Sequence, residues 1–237
     1  MMSARRCTFV LVHGSWHGGW CWDRVTPLLT QQGHRVVAPT LVGLGDLAHQ
    51  ARPDTGLSVH VAQVEALLAS DDLTDVTLVG HSYAGLILTA VADRQPARIR
   101  SLIYLDALLA EDGQCCFDVM PGTQSTFQAA ADQEGQGWLV PPMTAADFGV
   151  VDPQWAQWVN DRLTPMPIRT HQEPLEAPQG NATQLRRVYL SCTQFGFAGF
   201  AQKARDEHFD QVATIDAGHD VQVTEPAQLS QVLCDVA

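Results

Sequence analysis

Gly80-His81-Ser82-Tyr83-Ala84-Gly85 sets a serine among small residues, directly after the apolar run 76–79 and before a helical pattern. A strand that turns sharply into a helix lifts the central side chain above the sheet, where its hydroxyl is open to attack a carbonyl. The helix behind it offers backbone donors and a positive dipole end to developing negative charge. A serine is a weak nucleophile until a neighbouring base takes its proton. Nine histidines compete for that role, most of them expected at the surface. His219 stands out, because Asp216-Ala217-Gly218-His219 links the last apolar run to a final helical pattern. Ser82 as nucleophile and His219 as base are the parts of acyl transfer. The plainer alternative is a serine that only caps the helix behind it. The turn departs from G-x-S-x-G, since Ala84 holds the last place and Gly85 follows, but alanine is small enough for it to close.

The elements that must hold these residues read as alternating strands and helices. Strands are predicted at 8–12, 35–38, 76–79, 99–105, 187–192 and 212–215, several of them apolar throughout, as in a parallel sheet covered on both faces. Leu57, Val61, Val64, Leu67 and Leu68 repeat at helical spacing. A second helix is predicted from Tyr83 to Arg94, and a last one from Pro226 towards Val236. The helix before Gly33 contains Pro27 and either begins there or is kinked. The fold class is α/β: a mostly parallel sheet of about six strands with flanking helices.

This alternation breaks after Leu105. From 107 to 185 the chain is rich in Pro, Gly, Gln and Trp, and reads as an irregular lid inserted into a core made of 1–106 and 186–237. Trp138, Trp155 and Trp158 lie in it; Trp155 and Trp158 share a helical face and would make an apolar pocket if that face closed over Ser82.

Composition excludes several classes. The net charge of −12 disfavours nucleic acid and anionic membranes as partners. The six cysteines, Cys7, Cys21, Cys115, Cys116, Cys192 and Cys234, match no zinc or disulfide spacing and read as reduced thiols. Arg5 and Arg6 precede an apolar run too short for a signal segment, and no run is long enough to span a membrane, so the cytoplasm is the expected location. A small-molecule substrate is the expected partner, with a homodimer left open.

Phe9-Val10-Leu11-Val12-His13-Gly14-Ser15-Trp16-His17-Gly18-Gly19-Trp20, together with the serine turn, resembles the α/β-hydrolase superfamily, in the branch of plant methyl esterases and hydroxynitrile lyases. The likeness covers about 8–106 and 187–234, and is weak in the lid. It implies a Ser…acid…His order along the chain, which His219 satisfies. It also implies an oxyanion hole from the backbone N–H groups of Ser15 and Tyr83, two amides that must converge on the intermediate's oxygen. Trp16, His81 and Trp138 are the candidate substrate contacts, while His13 and His81 lie in turns the family uses for geometry.

The acid is less plain. Plant members place it after the strand that here reads 187–192, but Cys192-Thr193-Gln194-Phe195 follows, with no carboxylate. Asp106, one strand earlier, is the preferred acid, since other α/β-hydrolases carry theirs there. Asp206, Asp210 and Asp216 stay open, Asp220 is expected to point away, and Asp106 could also be a cap at the lid's entrance. The implied activity is hydrolysis of a carboxylic ester of a small to medium apolar or aromatic substrate, with no metal or organic cofactor. The rivals are a thioesterase or lactonase, a hydroxynitrile-type lyase and a non-catalytic binding protein. Lyases of the branch carry a threonine and a lysine where Gly14 and Asp220 stand here, which favours hydrolysis.

Overall fold

A computed structural model describes residues 6–237; Arg5 of the basic pair lies outside them. The elements run β1 (Thr8–Val12), α1 (Thr26–Gln31), β2 (Arg35–Val37), α2 (Leu57–Ser70), β3 (Val76–His81), α3 (Ala84–Arg94) and β4 (Ile99–Leu105). A segment of short elements follows: α4 (Cys116–Val119), α5 (Thr123–Glu134), β5 (Leu139–Val140), α6 (Pro153–Asn160), β6 (Met166–Pro167) and α7 (Arg169–Gln172). The chain closes with β7 (Arg186–Cys192), α8 (Ala198–Asp206), β8 (Gln211–Ile215), α9 (Val221–Thr224) and α10 (Pro226–Val236).

Six strands form one parallel sheet in the order β2-β1-β3-β4-β7-β8. Successive side chains of a strand point to opposite faces, so the apolar strands feed two cores. Val10, Val12, Leu78, Leu102, Tyr104 and Tyr189 pack under α2, α3 and α8. Phe9, Leu11, Val79, Ile103, Leu105, Val188 and Leu190 pack on the other face with Leu29 of α1 and Leu229, Leu233 and Val236 of α10. Each large side chain fully removed from water contributes about 1.5–3 kcal/mol.

Pro27 sits in the first turn of α1, where its missing N–H is no loss, so the helix begins there rather than kinking. The strand β3 runs past the predicted Val79 to His81, because Gly80 and His81 continue the ladder opposite Tyr104 and Leu105. The segment between β4 and β7 is less irregular than its composition implied: it holds four α-helices, two short 3-10 helices and a small antiparallel pair, β5 with β6. No disulfide links any of the six cysteines among the described residues. No helix among the described residues is long and apolar enough to cross a membrane.

Candidate active site

Four loops leave the carboxyl ends of β1, β3, β4 and β8, and the residues singled out for chemistry ride on them. Parallel α/β sheets commonly place ligands at this edge. Ser82 follows β3 with φ 57°, a left-handed conformation that L-residues rarely adopt. Its amide bonds Leu105 O (3.2 Å), and its carbonyl accepts from Gly85 N (3.1 Å) and Leu108 N (3.0 Å), so neighbouring backbone holds the strained turn. The offset glycine has a steric reason: a Cβ on Gly85 would collide with Leu108 O, whereas Ala84 is buried without conflict.

Asp106 follows β4, also left-handed at φ 41° and fully buried. One carboxylate oxygen accepts the Cys192 amide (3.1 Å) and the other accepts His219 Nδ1–H at 2.6 Å. The place after β7 that lacks a carboxylate thus contributes a backbone donor to Asp106. Asp206, Asp210 and Asp216 bond instead to Gln202, the Arg187 amide, and Thr193 with Gln194, all at exposed positions. Residues held in such left-handed conformations cost of order 1–3 kcal/mol each and concentrate at functional sites.

His219 is 2% exposed and ringed by aromatics. Phe195 stacks on it at 4.1 Å between centroids, and Phe197 meets it edge-on at 5.2 Å. Phe148 lies parallel at 6.1 Å. Among the described residues no hydrogen bond joins the Ser82 hydroxyl to the imidazole; such contacts often tighten only around a substrate.

On the β1 side, Gly14 lets the loop approach the serine: a Cβ there would stand 2.8 Å from Ser82 Cβ and 3.2 Å from His81 O. Two residues on, Trp16 is left-handed at φ 63°. The backbone N–H groups of Ser15 and Tyr83 bond to no protein group among the described residues, which leaves both free to donate.

Residues 9–232 match the model of the alpha/beta hydrolase family. The chain belongs to that family. A carbendazim hydrolyzing esterase from Nocardioides sp. (strain SG-4G) is 37% identical over 95% of this chain and 97% of its own length. Methylesterase 2 of Arabidopsis thaliana is 37% identical, over 45% of this chain and 41% of its own. An extracellular alpha/beta-hydrolase from a Paenibacillus species superposes with a TM-score of 0.87 at 23% identity, covering 98% of this chain and 99% of that one, a likeness of fold.

In this alpha/beta hydrolase most of the histidines are buried rather than at the surface. Seven of the nine are buried: His13, His17, His34, His60, His81, His171 and His219. Burial without a counter-charge favours the neutral ring, and their partners define the tautomers. His13 donates from Nδ1 to Gly14 O (2.8 Å) and accepts Leu41 N–H at Nε2 (2.9 Å); burial holds its pKa down at about 3. His60 donates from Nε2 to Val42 O (2.8 Å) and accepts the Tyr83 hydroxyl at Nδ1 (3.0 Å), its pKa lowered by burial to about 4. His171, lowered by burial to about 3, stacks on Tyr83 at 5.3 Å. The Thr170 hydroxyl donates to Pro167 O, so it accepts from His171 Nδ1–H (2.9 Å), and His171 Nε2 accepts the Ser15 hydroxyl (3.2 Å). The side chains of Ser15 and Tyr83 are therefore each pinned by a neutral imidazole.

The three expected substrate contacts, His81, Trp16 and Trp138, sit in different surroundings. His81 is fully buried and donates from Nε2 to His219 O (3.0 Å), while its Nδ1 meets no hydrogen-bond partner among the described residues. Burial, and after it the nearness of His219, push its pKa well down. Trp16 is 5% exposed; it packs on Phe127 and Phe148 and donates to Val140 O (3.2 Å), tying the β1 loop to the segment between β4 and β7. Trp138 is half-buried, and among the described residues no ring contact joins it to Trp16, His171 or His219. Trp155 and Trp158 do share a face, at 5.9 Å, but it meets Arg24 and Trp20 rather than closing over Ser82. Asp220 points away from His219, as its place beside that residue implied, and meets His17 Nε2 at 3.0 Å.

Some of what was missed had a sequence signal. His60 falls on the buried stripe of α2 with Leu57, Val61, Val64 and Leu68. Phe195 and Phe197 stand where an acid was sought. His171 had none, since its partner Ser15 is 156 residues away.

Proposed function

We propose that this chain hydrolyses carboxylic esters through an acyl-enzyme, with Ser82 as nucleophile, His219 as general base and then acid, and Asp106 as the triad acid. One observation carries the reading: a buried His219–Asp106 pair at 2.6 Å stands beside a strained serine turn at the carboxyl edge of the sheet. Asp106 fixes the proton on His219 Nδ1, which leaves Nε2 bare to take the serine proton, and its charge stabilises the imidazolium that forms. The Ser15 and Tyr83 amides receive the carbonyl oxygen as it becomes an oxyanion. His219 then gives the proton to the leaving alcohol, and water repeats the sequence on the acyl group.

The esterase relative that matches nearly the whole chain supports ester hydrolysis. The phenyl rings of Phe195, Phe197 and Phe148 around His219 support an apolar or aromatic ester of small to medium size, with the segment between β4 and β7 as its lid. A lyase reading loses ground, because the residue after His219 is a carboxylate bound to His17 rather than a free cation.

The test is hydrolysis of p-nitrophenyl acetate and butyrate by wild type and Ser82→Ala, with mass spectrometry after treatment with a phosphonate ester. Turnover by wild type, its loss in Ser82→Ala and a single adduct on Ser82 are the expected results. An active Ser82→Ala protein would remove the proposal.

A further inference from the structure

Beyond the triad, a second histidine–carboxylate pair is sealed inside the site. His17, 1% exposed, directs Nδ1 to Ser15 O at 2.7 Å and Nε2 to Asp220 Oδ2 at 3.0 Å. Both partners are acceptors, so both ring nitrogens carry protons and the ring is an imidazolium. Asp220 is fully buried; its amide bonds Phe148 O (3.1 Å) and its other oxygen accepts from Gln222 (3.3 Å). Among the described residues no arginine or lysine reaches it.

The pair joins two loops that must keep register. One carries Ser15, a proposed oxyanion donor, and bends at the left-handed Trp16; the other carries His219. The His17–Ser15 bond grips the peptide inside that strained bend. The Asp220–His17 bond fixes the ring from the residue next to the base. We propose that the His17–Asp220 ion pair is a positioning strut that holds the oxyanion loop in register with His219. This rests on the acyl-transfer reading above.

The strut needs two protons on one ring. A neutral His17 can donate to Ser15 or to Asp220 but not to both, so alkaline pH opens one end of it. Burial opposes the charge, but the attraction of Asp220 and the bonds to Asp220 and Ser15 O prevail and raise the pKa of His17. The other groups facing the pair are the buried rings of His13 and His81, Trp20 and Phe148, and the thiols of Cys21 and Cys192. His13 and His81 are held neutral and the thiols are pushed up by burial, so His17 is the charged ring of this group and the one whose proton the strut depends on.

Two measurements test the strut. Histidine-labelled Ser82→Ala protein is titrated by NMR, which needs no activity. His17 is expected doubly protonated at neutral pH and singly protonated there once Asp220→Asn is added. A singly protonated His17 in the parent protein would overturn the proposal. The kinetic arm compares kcat and KM across pH. Asp220→Ala, which removes the strut, is expected to lower kcat by about 10- to 100-fold, the scale of a small misplacement of reacting groups, with KM held. Asp220→Asn can return the bond to Nε2 in the opposite sense, so kcat falls less and the alkaline limb of the profile disappears. Wild-type kcat in Asp220→Ala, or an unchanged alkaline limb in Asp220→Asn, would also overturn it. Failure of the acyl-transfer reading looks different: wild type hydrolyses neither ester, while the NMR result stands.

Discussion

Asp106→Asn should nearly abolish turnover while leaving the fold intact. The carboxylate has two committed oxygens, one on the Cys192 amide at 3.1 Å and one on His219 Nδ1–H at 2.6 Å. Asparagine offers one acceptor and one donor in the same shape. If its oxygen keeps the Cys192 amide, its NH2 faces His219 and forces Nδ1 to give up its hydrogen. The proton moves to Nε2, and the lone pair that must take the serine proton is gone. If the amide flips, its NH2 faces the Cys192 N–H and leaves buried donors unpaired, at about 1–3 kcal/mol. The first arrangement therefore wins. The same tautomer error in serine proteases costs ~10⁴-fold in kcat, which is ~5.5 kcal/mol of transition-state stabilisation. The assay is steady-state hydrolysis of p-nitrophenyl acetate across the neutral range, with a thermal melt to verify folding. A folded Asp106→Asn protein that keeps more than about a tenth of wild-type kcat would refute the reasoning, since it predicts a loss near 10⁴-fold.

Other substitutions probe the surrounding shell. In Gly14→Ala the new Cβ meets Ser82 Cβ at 2.8 Å and His81 O at 3.2 Å, neither able to swing aside, so the loop must back away. A fall of about 100-fold in kcat/KM is expected with a folded protein; unchanged kinetics would contradict the close approach. Tyr83→Phe leaves His60 Nδ1 buried without its donor, at about 1–3 kcal/mol, and a Tm lower by about 2–4 °C per kcal/mol should be read in calorimetry. Acid should destabilise the fold through His13, His60 and His171, whose folded pKa values of about 3, 4 and 3 lie below the unfolded 6.5. Their stabilisation is complete above the unfolded pKa and fades as pH falls towards the folded values. At about pH 5.5 each should have lost about 1.4 kcal/mol; a Tm that stays flat from neutral pH to there would rule this out.

The sheet was legible because each strand is an apolar run, and burial on both faces demands that pattern. Strand ends were less so. Gly80 and His81 extend β3 only because β4 runs alongside to Leu105. Between β4 and β7 the helices α4 and α7 span a single turn, too short for periodicity to register, and composition alone made the segment look irregular. The serine turn and the two histidine-bearing loops announced themselves by local spacing. What surrounds them did not, because it is built from distant partners: Ser15 with His171, His17 with Asp220, Trp16 with Val140. A histidine count says nothing about which rings the fold supplies with acceptors. The proposed acid, Asp106, was readable only as a carboxylate missing in one place and present in another.

With Asp106 as the proposed acid, its place after β4 has a consequence for how such a protein can diversify. The turn at 193–197 is released from proton chemistry, yet still presents Phe195 and Phe197 to the face of His219. Under the proposed triad, the turn that flanks His219 and the loops that carry the triad are thereby separate. Laboratory evolution aimed at new esters can randomise 193–197 freely, whereas in a chain that keeps its acid after β7 the same library would be dominated by dead clones.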